Sequence, residues 1–444
     1  MAGDISVGSD ISKDLGLLSQ KAVSKLVQIA DLPDQNSVQV YLVNLFITTE
    51  AGPDKQFFTK HSFEVISKGN TLNIKITNKD TQETKVLGIA KKMSDNQFLP
   101  PEVRDKLAQV SLVAPKYSTT KHHTGNYNFV LTDFYPKGSF NNLYERKGLS
   151  YPRVRQECAS NMQKIAEKMQ SLQKEGVFFP DAKVTNWLLD DNNQPVIADE
   201  KSLRTFEQAR KAGFKAIATD GYWPPGNVKM ESSKDFEKIH AYVLGANIYD
   251  YLTSSQPPVV IKRDNNNFQA QVFDGNIGKR YKQLILDLTN PEPSIRTGLD
   301  EAIKKLKNIQ LDIRFEPIYP NGVAGSYNRH LAYNANAEML KGYDDFKVKY
   351  KQWKGDRLKM EILRNLSSEI DEVTTPKELS VLKIKIMGDK AAGIDSSPEF
   401  KILKTHQGLI SNVFIKTKSH QALETLFDEK EASLRSMTPS NTGK

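Results

Sequence analysis

The alternation of apolar and polar residues predicts helices and strands in a mixed order along the chain. Between residues 154 and 172 apolar residues recur at steps of four and three, the spacing of one face of an α-helix, and Gly176 ends that helix. TLNIKIT (71–77) instead alternates apolar and polar residues, NKDTQ is typical of a turn, and ETKVLGIAKK forms the returning strand. The helix face consists of Val154, Cys158, Met162, Ile165, Met169 and Leu172.

The N-terminal region has two further patterns. Residues 1–35 place apolar residues at helical spacing, which predicts an amphipathic helix. The next apolar stretch, VQVYLVNLFITT (38–49), is rich in β-branched and aromatic residues and predicts a strand. Farther on, Pro100 and Pro101 predict the start of a helix that runs through Leu107 and Val110, because proline fits the first turn of a helix.

Composition is typical of a globular protein with about two or three domains. Of the 444 residues, 38% are hydrophobic and 26% are charged, and no apolar run approaches the length of a transmembrane helix. The N-terminus lacks the pattern of a secretory signal, and the single cysteine excludes an intrachain disulfide framework, so we expect a reducing cytosol. The net charge of +9 predicts a polyanionic partner such as nucleic acid, an anionic membrane or an inositol phosphate.

A set of polar side chains between Phe179 and Leu203 has the composition of a phosphoryl-transfer site. Asp181 and Asn186 are five residues apart, Lys183 lies between them, and Asp199 follows Asn186 by thirteen residues. Phosphoryl transfer needs a carboxylate for the hydroxyl proton, a cation for the transferring group, and oxygen ligands for Mg²⁺. Taken alone, the pattern is more typical of a solvated turn after a helix. Its order and spacing are those of a protein-kinase catalytic loop and metal-binding loop.

Four other segments extend this resemblance to the protein-kinase superfamily over about residues 60–310. They resemble the hinge, the end of the activation segment, the buried central helix, and the closing turn with the last helix of the large lobe. In order, they are FVLTDFYPKGSFNNLYERKG (129–148), TDGYWPPG (219–226), VLGANIYDYLTS (243–254) and LTNPEPSIRTGLDEAIKKL (288–306).

The resemblance implies an α+β, bilobal kinase-like fold with a β-rich small lobe and a helical large lobe, and it implies ATP and Mg²⁺ as cofactors. Asp181 and Lys183 would be catalytic, Asn186 and Asp199 would hold metal, and Asp133 would lie at the nucleotide hinge. The small lobe has only Gly69 where a glycine-rich loop is usual. The ATP-contacting lysine is Lys91 or Lys92; Ala90, two residues before it, favours Lys92, and Glu102 is the candidate ion-pair partner. In the alternative interpretation, Lys91 and Lys92 are two solvated lysines at a strand edge and contact no ATP.

The chain also departs from the family pattern. Phe179-Pro180 stand where most kinases have His-Arg, Glu200-Lys201 follow Asp199 in place of Phe-Gly, and Gly226 replaces the usual Glu. His240 takes the place of an Asp on the central helix, and Arg296, which resembles the arginine that pairs with the missing Glu, must find another acceptor. A phosphate on the activation segment would therefore lack its normal ion-pair partner.

A basic stretch offers an alternative way to order that segment. KSLRTFEQARKAGFK (201–215) is typical of a solvated helix face, and the sharper hypothesis is an inositol polyphosphate bound there that locks an active conformation. Its cations are Lys201, Arg204, Arg210, Lys211 and Lys215, against Glu207 as the one acid.

The C-terminal segment Phe400–Phe427 resembles the phosphatidylinositol 4-phosphate-binding domains of Legionella type IV secreted effectors. The resemblance implies a helical domain, peripheral binding to a host or vacuole membrane, and a headgroup site of cations and polar donors. The final residues, an acidic block followed by small polar residues, resemble a type IV secretion signal, which implies delivery into the host cytosol. The candidate headgroup residues are Lys401, Lys404, Thr405, Gln407, Lys416 and Lys418.

The sequence therefore predicts an N-terminal extension and small lobe at 1–130, a large lobe at 131–320, a linker at 321–335, and a helical phosphoinositide-binding domain with a C-terminal secretion signal at 336–444. The predicted function is phosphorylation of Ser or Thr in a host protein. The alternatives are a pseudokinase scaffold and transfer of a nucleotidyl group. Binding to nucleic acid rests on charge alone and is not expected.

Overall fold

The computed structural model has two compact units, Met1–Ile303 and Lys304–Lys444. It describes residues 10–437 except 50–51, 70, 92–98, 118, 121, 123, 141–149, 199, 213–218, 227, 263–264, 316–343, 351–354 and 405–416. Within these residues the first unit mixes helices with a small antiparallel sheet, and the second is helical. No described helix is both long and apolar enough to cross a membrane.

The first unit begins with helices and continues into a five-stranded sheet. Its helices are α1 (Asp10–Gly16), α2 (Gln20–Ile29), α3 (Gln35–Thr48), α4 (Pro53–Lys60) and α5 (Pro101–Gln109). The strands are β1 (His61–Lys68), β2 (Thr71–Asn78), β3 (Thr84–Lys91), β4 (Lys116–Tyr117) and β5 (Tyr127–Asp133), arranged in the order β1-β2-β3-β5-β4 with antiparallel pairing.

The second half of the first unit is mostly helical. Its helices are α6 (Tyr151–Lys174), α7 (Phe206–Ala212), α8 (Ser233–Thr253), α9 (Gly275–Leu288) and α10 (Leu299–Phe315), which contains the boundary between the units. Its short strands are β6 (Val177–Phe178), β7 (Trp187–Leu189), β8 (Pro195–Ile197) and β9 (Arg204–Thr205), paired as β6 with β9 and β7 with β8.

The five-stranded sheet has one apolar face and one polar face. Successive side chains of β2 alternate between the faces, so that Leu72, Ile74 and Ile76 are buried in the N-terminal core. β3 places Leu87 and Ile89 on that same face, opposite β2, because Ile74 pairs with Leu87 and Leu72 pairs with Ile89. The core under this face is completed by apolar residues of α1–α4.

The strand predicted for residues 38–49 is wrong, because these residues form most of α3. Asp34 caps the helix by accepting a hydrogen bond from the Ser37 amide, and Val38, Leu42 and Leu45 then fall on one buried face. The cap and the packing of that face outweigh the β-propensity of the stretch. The single helix predicted for residues 1–35 is two helices among the described residues, since Ser19 caps the start of α2.

The helix predicted over residues 154–172 is confirmed, and so is the hairpin that begins at residue 71, since β2 pairs with β3 in antiparallel orientation. The apolar face of α6 is buried from Cys158 to Leu172, and Gly176 follows the helix with φ of +67°, a conformation that suits glycine. The central helix α8 is buried on nearly all sides and starts with a capping box between Ser232 and Asp235. It packs against α6 and α9, and so provides a rigid support for the loops beside it.

The second unit packs amphipathic helices around its own apolar core. Its remaining helices are α11 (Asp344–Tyr350), α12 (Gly355–Glu372), α13 (Pro376–Met387), α14 (Pro398–Lys404) and α15 (Lys418–Met437). Thr375 and Glu378 form a capping box at the start of α13. The core includes Ile362, Leu363, Leu403, Leu423 and Phe427, each almost completely buried. The predicted linker at 321–335 lies outside the described residues.

Candidate functional site

The loop of residues 181–186 brings together three of the side chains predicted to act in catalysis. Asp181 is buried at the start of the loop, and Lys183 Nζ lies 3.3 Å from its Oδ2. Asn186 donates from Nδ2 to the same Oδ2 over 2.8 Å and to the Asp181 carbonyl over 2.7 Å. A short 3₁₀ turn, Val184–Asn186, creates this proximity by folding Asn186 back towards the start of the loop.

Thr219 completes this cluster, although it lies far away in the sequence. Its hydroxyl donates to Asp181 Oδ1 over 2.8 Å and accepts from Lys183 Nζ over 2.9 Å. A single hydroxyl therefore fixes the carboxylate and the ammonium group relative to each other. Sequence reasoning placed Thr219 in the activation segment but assigned it no contact with Asp181.

The orientation of the Asn186 amide leaves its oxygen as the group that can face a cation. The amide N–H groups point to Asp181, so the oxygen points elsewhere. Amide and carboxylate oxygens are ligands that Mg²⁺ prefers, and Asn186 therefore fits the predicted metal-binding role. Asp199, the other predicted metal ligand, is outside the described residues, which contain no cluster of three or more His, Cys, Asp or Glu suited to a metal.

Helix α8 holds the 181–186 loop through a buried asparagine. Asn247 accepts a hydrogen bond from the Val184 amide over 3.0 Å and donates to the Ala182 carbonyl over 2.8 Å. Trp187, fully buried after the loop, donates from its indole to the same carbonyl. Because unpaired polar groups are costly in a protein core, these bonds specify one backbone conformation for the loop.

His240 of α8 holds the segment just before the loop. Its Nε2 accepts a hydrogen bond from the Phe179 amide over 3.1 Å, and complete burial lowers the pKa of the imidazole to about 3. The ring is therefore neutral near pH 7 and carries its proton on Nδ1, 3.0 Å from the Gln173 amide. The atom at that distance is Nε2 of Gln173, so this tautomer requires the amide to be flipped, with its oxygen accepting from the Nδ1–H.

A second loop, residues 198–202, lies beside the first. The Ala198 amide donates to the Asn186 carbonyl over 2.9 Å, and Glu200 accepts a bidentate pair of bonds from Arg104 of α5, each of 3.1 Å. Lys116 of β4 also contacts the Glu200 carboxylate at 2.8 Å. The pairing of β6 with β9 joins the segment before the first loop to the segment after the second.

The predicted nucleotide-binding side chains are not joined to one another in the described structure. Lys91 is exposed at the end of β3, Glu102 is exposed on α5, and Lys92 lies outside the described residues. Asp133 is bonded instead to Lys85 of β3 at 2.6 Å and to the Tyr117 hydroxyl at 2.8 Å. Another residue of α5, Arg104, contacts the second loop, and the sequence analysis did not identify it.

Arg296 donates to main-chain oxygens, whereas the sequence had left its hydrogen-bond acceptor unidentified. The guanidinium is buried and donates to the carbonyls of Asn290 and Lys238, each over 2.8 Å, and to that of Pro291 over 3.3 Å. It also lies over the ring of Tyr242. Main-chain oxygens therefore take the role of the carboxylate that the family pattern would have supplied.

The candidate polyanion residues do not form one described surface. Arg204 is buried in β9 and donates to the Leu203 carbonyl, whereas Arg210 and Lys211 are exposed on α7. Lys211 is paired with Glu207 at 2.5 Å. The side chain of Lys201 and the whole of Lys215 lie outside what the structure describes.

In the second unit, the candidate headgroup residues lie at the end of α14 and the start of α15. Lys404 and Lys418 are exposed, Lys401 is half-buried, and Thr405, Gln407 and Lys416 lie outside the described residues. The Thr417 hydroxyl donates to the Leu403 carbonyl over 2.6 Å and accepts from the His420 amide over 3.1 Å. This contact brings the two helix ends together, with Lys404 and Lys418 beside the contact.

Residues 326–438 match the family model of the DrrA phosphatidylinositol 4-phosphate binding domain. The match covers the described helices α11–α15 and includes Phe400–Phe427, the segment from which the resemblance was inferred. It confirms that the C-terminal region is similar to a phosphoinositide-binding domain.

Proposed function

We propose that the first unit is an ATP- and Mg²⁺-dependent protein kinase that phosphorylates Ser or Thr in a host protein. The observation that carries this proposal is the bonded cluster of Asp181, Lys183 and Asn186, linked by Thr219. The family pattern predicted the first three from spacing alone, and their contacts have the chemistry that phosphoryl transfer requires. A solvated turn would not need the buried support that Asn247 provides.

Each residue of the cluster has a distinct role in this reaction. Asp181 positions the acceptor hydroxyl and takes its proton as the hydroxyl oxygen bonds to the γ-phosphorus and the bond to the β–γ bridging oxygen breaks. Lys183 stabilises the negative charge on the transferring group. Asn186, and by the resemblance Asp199, would hold the Mg²⁺ that offsets charge on the phosphates of ATP.

The alternation of β3 favours Lys92 over Lys91 as the lysine that contacts phosphate. Side chains alternate between the two faces along a strand, so Lys91 belongs to the same face as Leu87 and Ile89. The N-terminal helices cover that face. The opposite face of β3 carries Gly88 and Ala90, small side chains that leave space for a ligand. We propose that nucleotide binds on this second face; Lys92 itself lies outside the described residues.

Incubation of the purified protein with labelled ATP and host-cell lysate tests the kinase proposal. Asp181→Ala should lower the rate about 10²–10⁴-fold, and Asp199→Ala should be nearly inactive. Asp191→Asn, an exposed carboxylate in the turn between β7 and β8, is the matched control and should react like the wild type.

The products of that incubation separate the proposal from its rivals. Mass spectrometry should show a phosphoryl group on Ser or Thr; a nucleotidyl adduct would instead indicate transfer of the other end of ATP. Nucleotide binding without any labelled product would support a pseudokinase. Equal labelling by Asp181→Ala, Asp199→Ala and wild type would contradict the assignment.

We further propose that the second unit binds membranes that contain phosphatidylinositol 4-phosphate and so concentrates the kinase near its substrates. The match over residues 326–438 supports this, as do the exposed cations Lys404 and Lys418 beside the junction of α14 and α15. Cations beside a lipid headgroup are attracted to its phosphates. The C-terminal tail resembles a secretion signal, and we propose delivery to the host cytosol by a type IV system.

Vesicle binding tests the membrane proposal independently of catalysis. The double variant Lys404→Ala/Lys418→Ala should bind vesicles containing phosphatidylinositol 4-phosphate about 30-fold more weakly, at about 1 kcal/mol per lysine. Lys377→Ala/Lys385→Ala removes two exposed lysines of α13 and is the charge-matched control. Equal losses in the two double variants would show general charge attraction, and no loss in either would contradict the proposed site.

A further inference from the structure

A lysine is buried on the apolar face of the five-stranded sheet. Lys85 of β3 belongs to the same face as Leu87 and Ile89, which the N-terminal helices cover, and it is only 9% exposed. An ammonium group that is taken out of water destabilises a fold unless charges and hydrogen bonds compensate it, and an apolar side chain would pack there at lower cost. The position of this lysine therefore points to a role beyond packing.

The contacts of Lys85 connect three strands of the sheet. Its Nζ donates to Asp133 Oδ1 over 2.6 Å, directly across the pairing of β3 with β5. The Tyr117 hydroxyl of β4 donates to the same Oδ1 over 2.8 Å, and the ammonium group lies 4.0 Å from the centre of the Tyr117 ring. Burial lowers the pKa of Lys85, but the bonds to Asp133 and Tyr117 outweigh it and raise the pKa above its ordinary value. The lysine therefore stays charged, and the carboxylate is held from two sides.

The N-terminal extension contributes a further residue to these contacts. Glu83, just before β3, brings its Oε1 to 3.6 Å from Lys85 Nζ, and its Oε2 accepts a hydrogen bond from the Ile11 amide of α1 over 3.2 Å. We call Glu83, Lys85, Tyr117 and Asp133 the hinge cluster. Through this cluster, a continuous set of polar contacts leads from α1 to the end of β5.

The hinge cluster lies on the opposite face of the sheet from the one on which we propose that nucleotide binds. Asp133 is the last residue of β5, and the proposed function places the nucleotide hinge at this strand end. Its Oδ1 already accepts two hydrogen bonds, from Lys85 and Tyr117. The carboxylate therefore holds the strand end from behind, and the main chain at that end is the part that the cluster can fix for a ligand on the other face.

We propose that Lys85 and Tyr117 are positioning residues that act through Asp133 to hold the end of β5 in the conformation that binds ATP. Glu83 makes α1 part of the same support. This inference rests on the proposed kinase function and gives the N-terminal extension a part in nucleotide affinity. Because the hinge cluster lies on the covered face, it acts on how tightly ATP binds and not on the transfer step.

Nucleotide affinity and steady-state kinetics together test this proposal. Isothermal titration calorimetry of the full-length protein with ATP in excess Mg²⁺ gives the dissociation constant. Lys85→Met should weaken binding about tenfold, since residues that act on a site through other residues typically change its affinity about 2–30-fold. KM for ATP should rise by the same factor, while kcat at saturating ATP stays within about twofold of wild type. A variant that is merely destabilised would show the reverse, because a smaller folded fraction lowers kcat and leaves KM unchanged.

Lys60→Met provides the matched control. Lys60 forms an ion pair of 2.9 Å with Asp14 of the same helix α1, so the variant also removes a lysine that holds the N-terminal extension, but one outside the hinge cluster. Its dissociation constant and KM should equal those of wild type. Tyr117→Phe keeps the ring and removes one bond to Asp133, and it should weaken ATP binding about threefold. Tyr117→Phe also serves as the test variant if Lys85→Met does not fold.

Two further variants test the charge of the lysine and the part of α1. Lys85→Arg keeps the cation and should recover most of the affinity that Lys85→Met loses. Glu83→Ala removes the contacts to Ile11 and to Lys85, and it should weaken ATP binding about threefold. Affinity unchanged in Glu83→Ala would exclude α1 from the support.

The outcomes separate this inference from the function on which it rests. If Lys85→Met and Tyr117→Phe bind ATP like wild type, or if Lys60→Met weakens binding equally, the hinge cluster has no specific role in nucleotide affinity. The kinase proposal would survive that result. If wild type itself binds no ATP, the proposed function fails and this inference fails with it.

Discussion

The 181–186 loop and the 198–202 loop lie side by side but are held in opposite ways. The first is supported by Asn247 of α8, with His240 holding the segment before it, and both side chains are neutral and completely buried. The second is held by the ion cluster of Glu200, Arg104 and Lys116, which is partly exposed. A loop can therefore be held in place either by hydrogen bonds to neutral side chains in the core or by ion pairs near the surface.

The two arrangements should respond differently to solution conditions. Hydrogen bonds between buried neutral groups are little affected by salt, and breaking them leaves unpaired groups at a high cost. Ion pairs near the surface contribute less and weaken as salt screens them. Substitutions in the first loop's supports should therefore affect folding, whereas those in the second should affect the site more than the fold.

The largest effect is expected from Asn247→Leu. The new side chain has a similar volume but leaves the Val184 amide and the Ala182 carbonyl without the partner that Asn247 provided. The Val184 amide is left unpaired at a cost of about 1–3 kcal/mol, whereas the Ala182 carbonyl keeps its bond from the Trp187 indole and loses only one bond, worth about 1 kcal/mol, so the free energy of unfolding should fall by about 2–4 kcal/mol. Urea unfolding followed by fluorescence measures this change. Asn161→Leu, which loses one bond to the Tyr251 hydroxyl, should cost about 1 kcal/mol, and equal costs would contradict the comparison.

His240 should make stability depend on pH. Its folded-state pKa of about 3 lies below the unfolded value of 6.5, so only the unfolded chain gains a proton as the pH falls. Its stabilising contribution is complete above pH 6.5 and decreases between pH 6.5 and 3, by about 2 kcal/mol on going from pH 7 to pH 5. In the His240→Gln variant, the decrease in the free energy of unfolding that this histidine causes between pH 7 and pH 5 should be absent. His122→Gln, at an exposed histidine, is the control and should keep the wild-type pH profile.

Thr219→Val should slow phosphoryl transfer about tenfold. The substitution keeps the shape of the side chain but removes the hydroxyl that joins Asp181 to Lys183, and one such bond contributes about 1–1.5 kcal/mol. Thr219→Ser restores the hydroxyl and should recover most of the rate, measured with labelled ATP. A rate unchanged in the Val variant would show that this bridge is not needed during the reaction.

The smallest effect concerns salt and the second loop. The difference in unfolding free energy between wild type and Glu200→Gln should shrink by about 0.5 kcal/mol between low salt and 1 M NaCl, because the Debye length falls to about 3 Å. The difference between wild type and Asn247→Leu should not change over the same range. A salt response of equal size in both would remove the distinction between the two supports.

The regular elements of the first unit could be predicted because their signals are local. The apolar face of α6 and the alternation in β2 and β3 repeat over many residues, and the structure follows them. α3 could not be recognised, because its residues have strand propensity and the outcome depended on the Asp34 cap and on packing against distant strands.

The candidate site likewise contains residues that local sequence signals could identify and residues that they could not. Asp181, Lys183 and Asn186 were singled out from the sequence by the motif that contains them, and their contacts span at most five residues. Thr219, Asn247 and Arg104 bond to partners 38, 63 and 96 residues away, respectively. No motif marks such pairs, because the contact exists only when the fold brings two distant segments together.

The buried guanidinium of Arg296 has a consequence for how this region can evolve. Its acceptors are main-chain oxygens of residues 238, 290 and 291, which every amino acid possesses. The side chains at those three positions can therefore be replaced without loss of the acceptors, as long as the backbone path is kept. A carboxylate partner would have required two side chains to be inherited together, whereas here only the arginine is constrained.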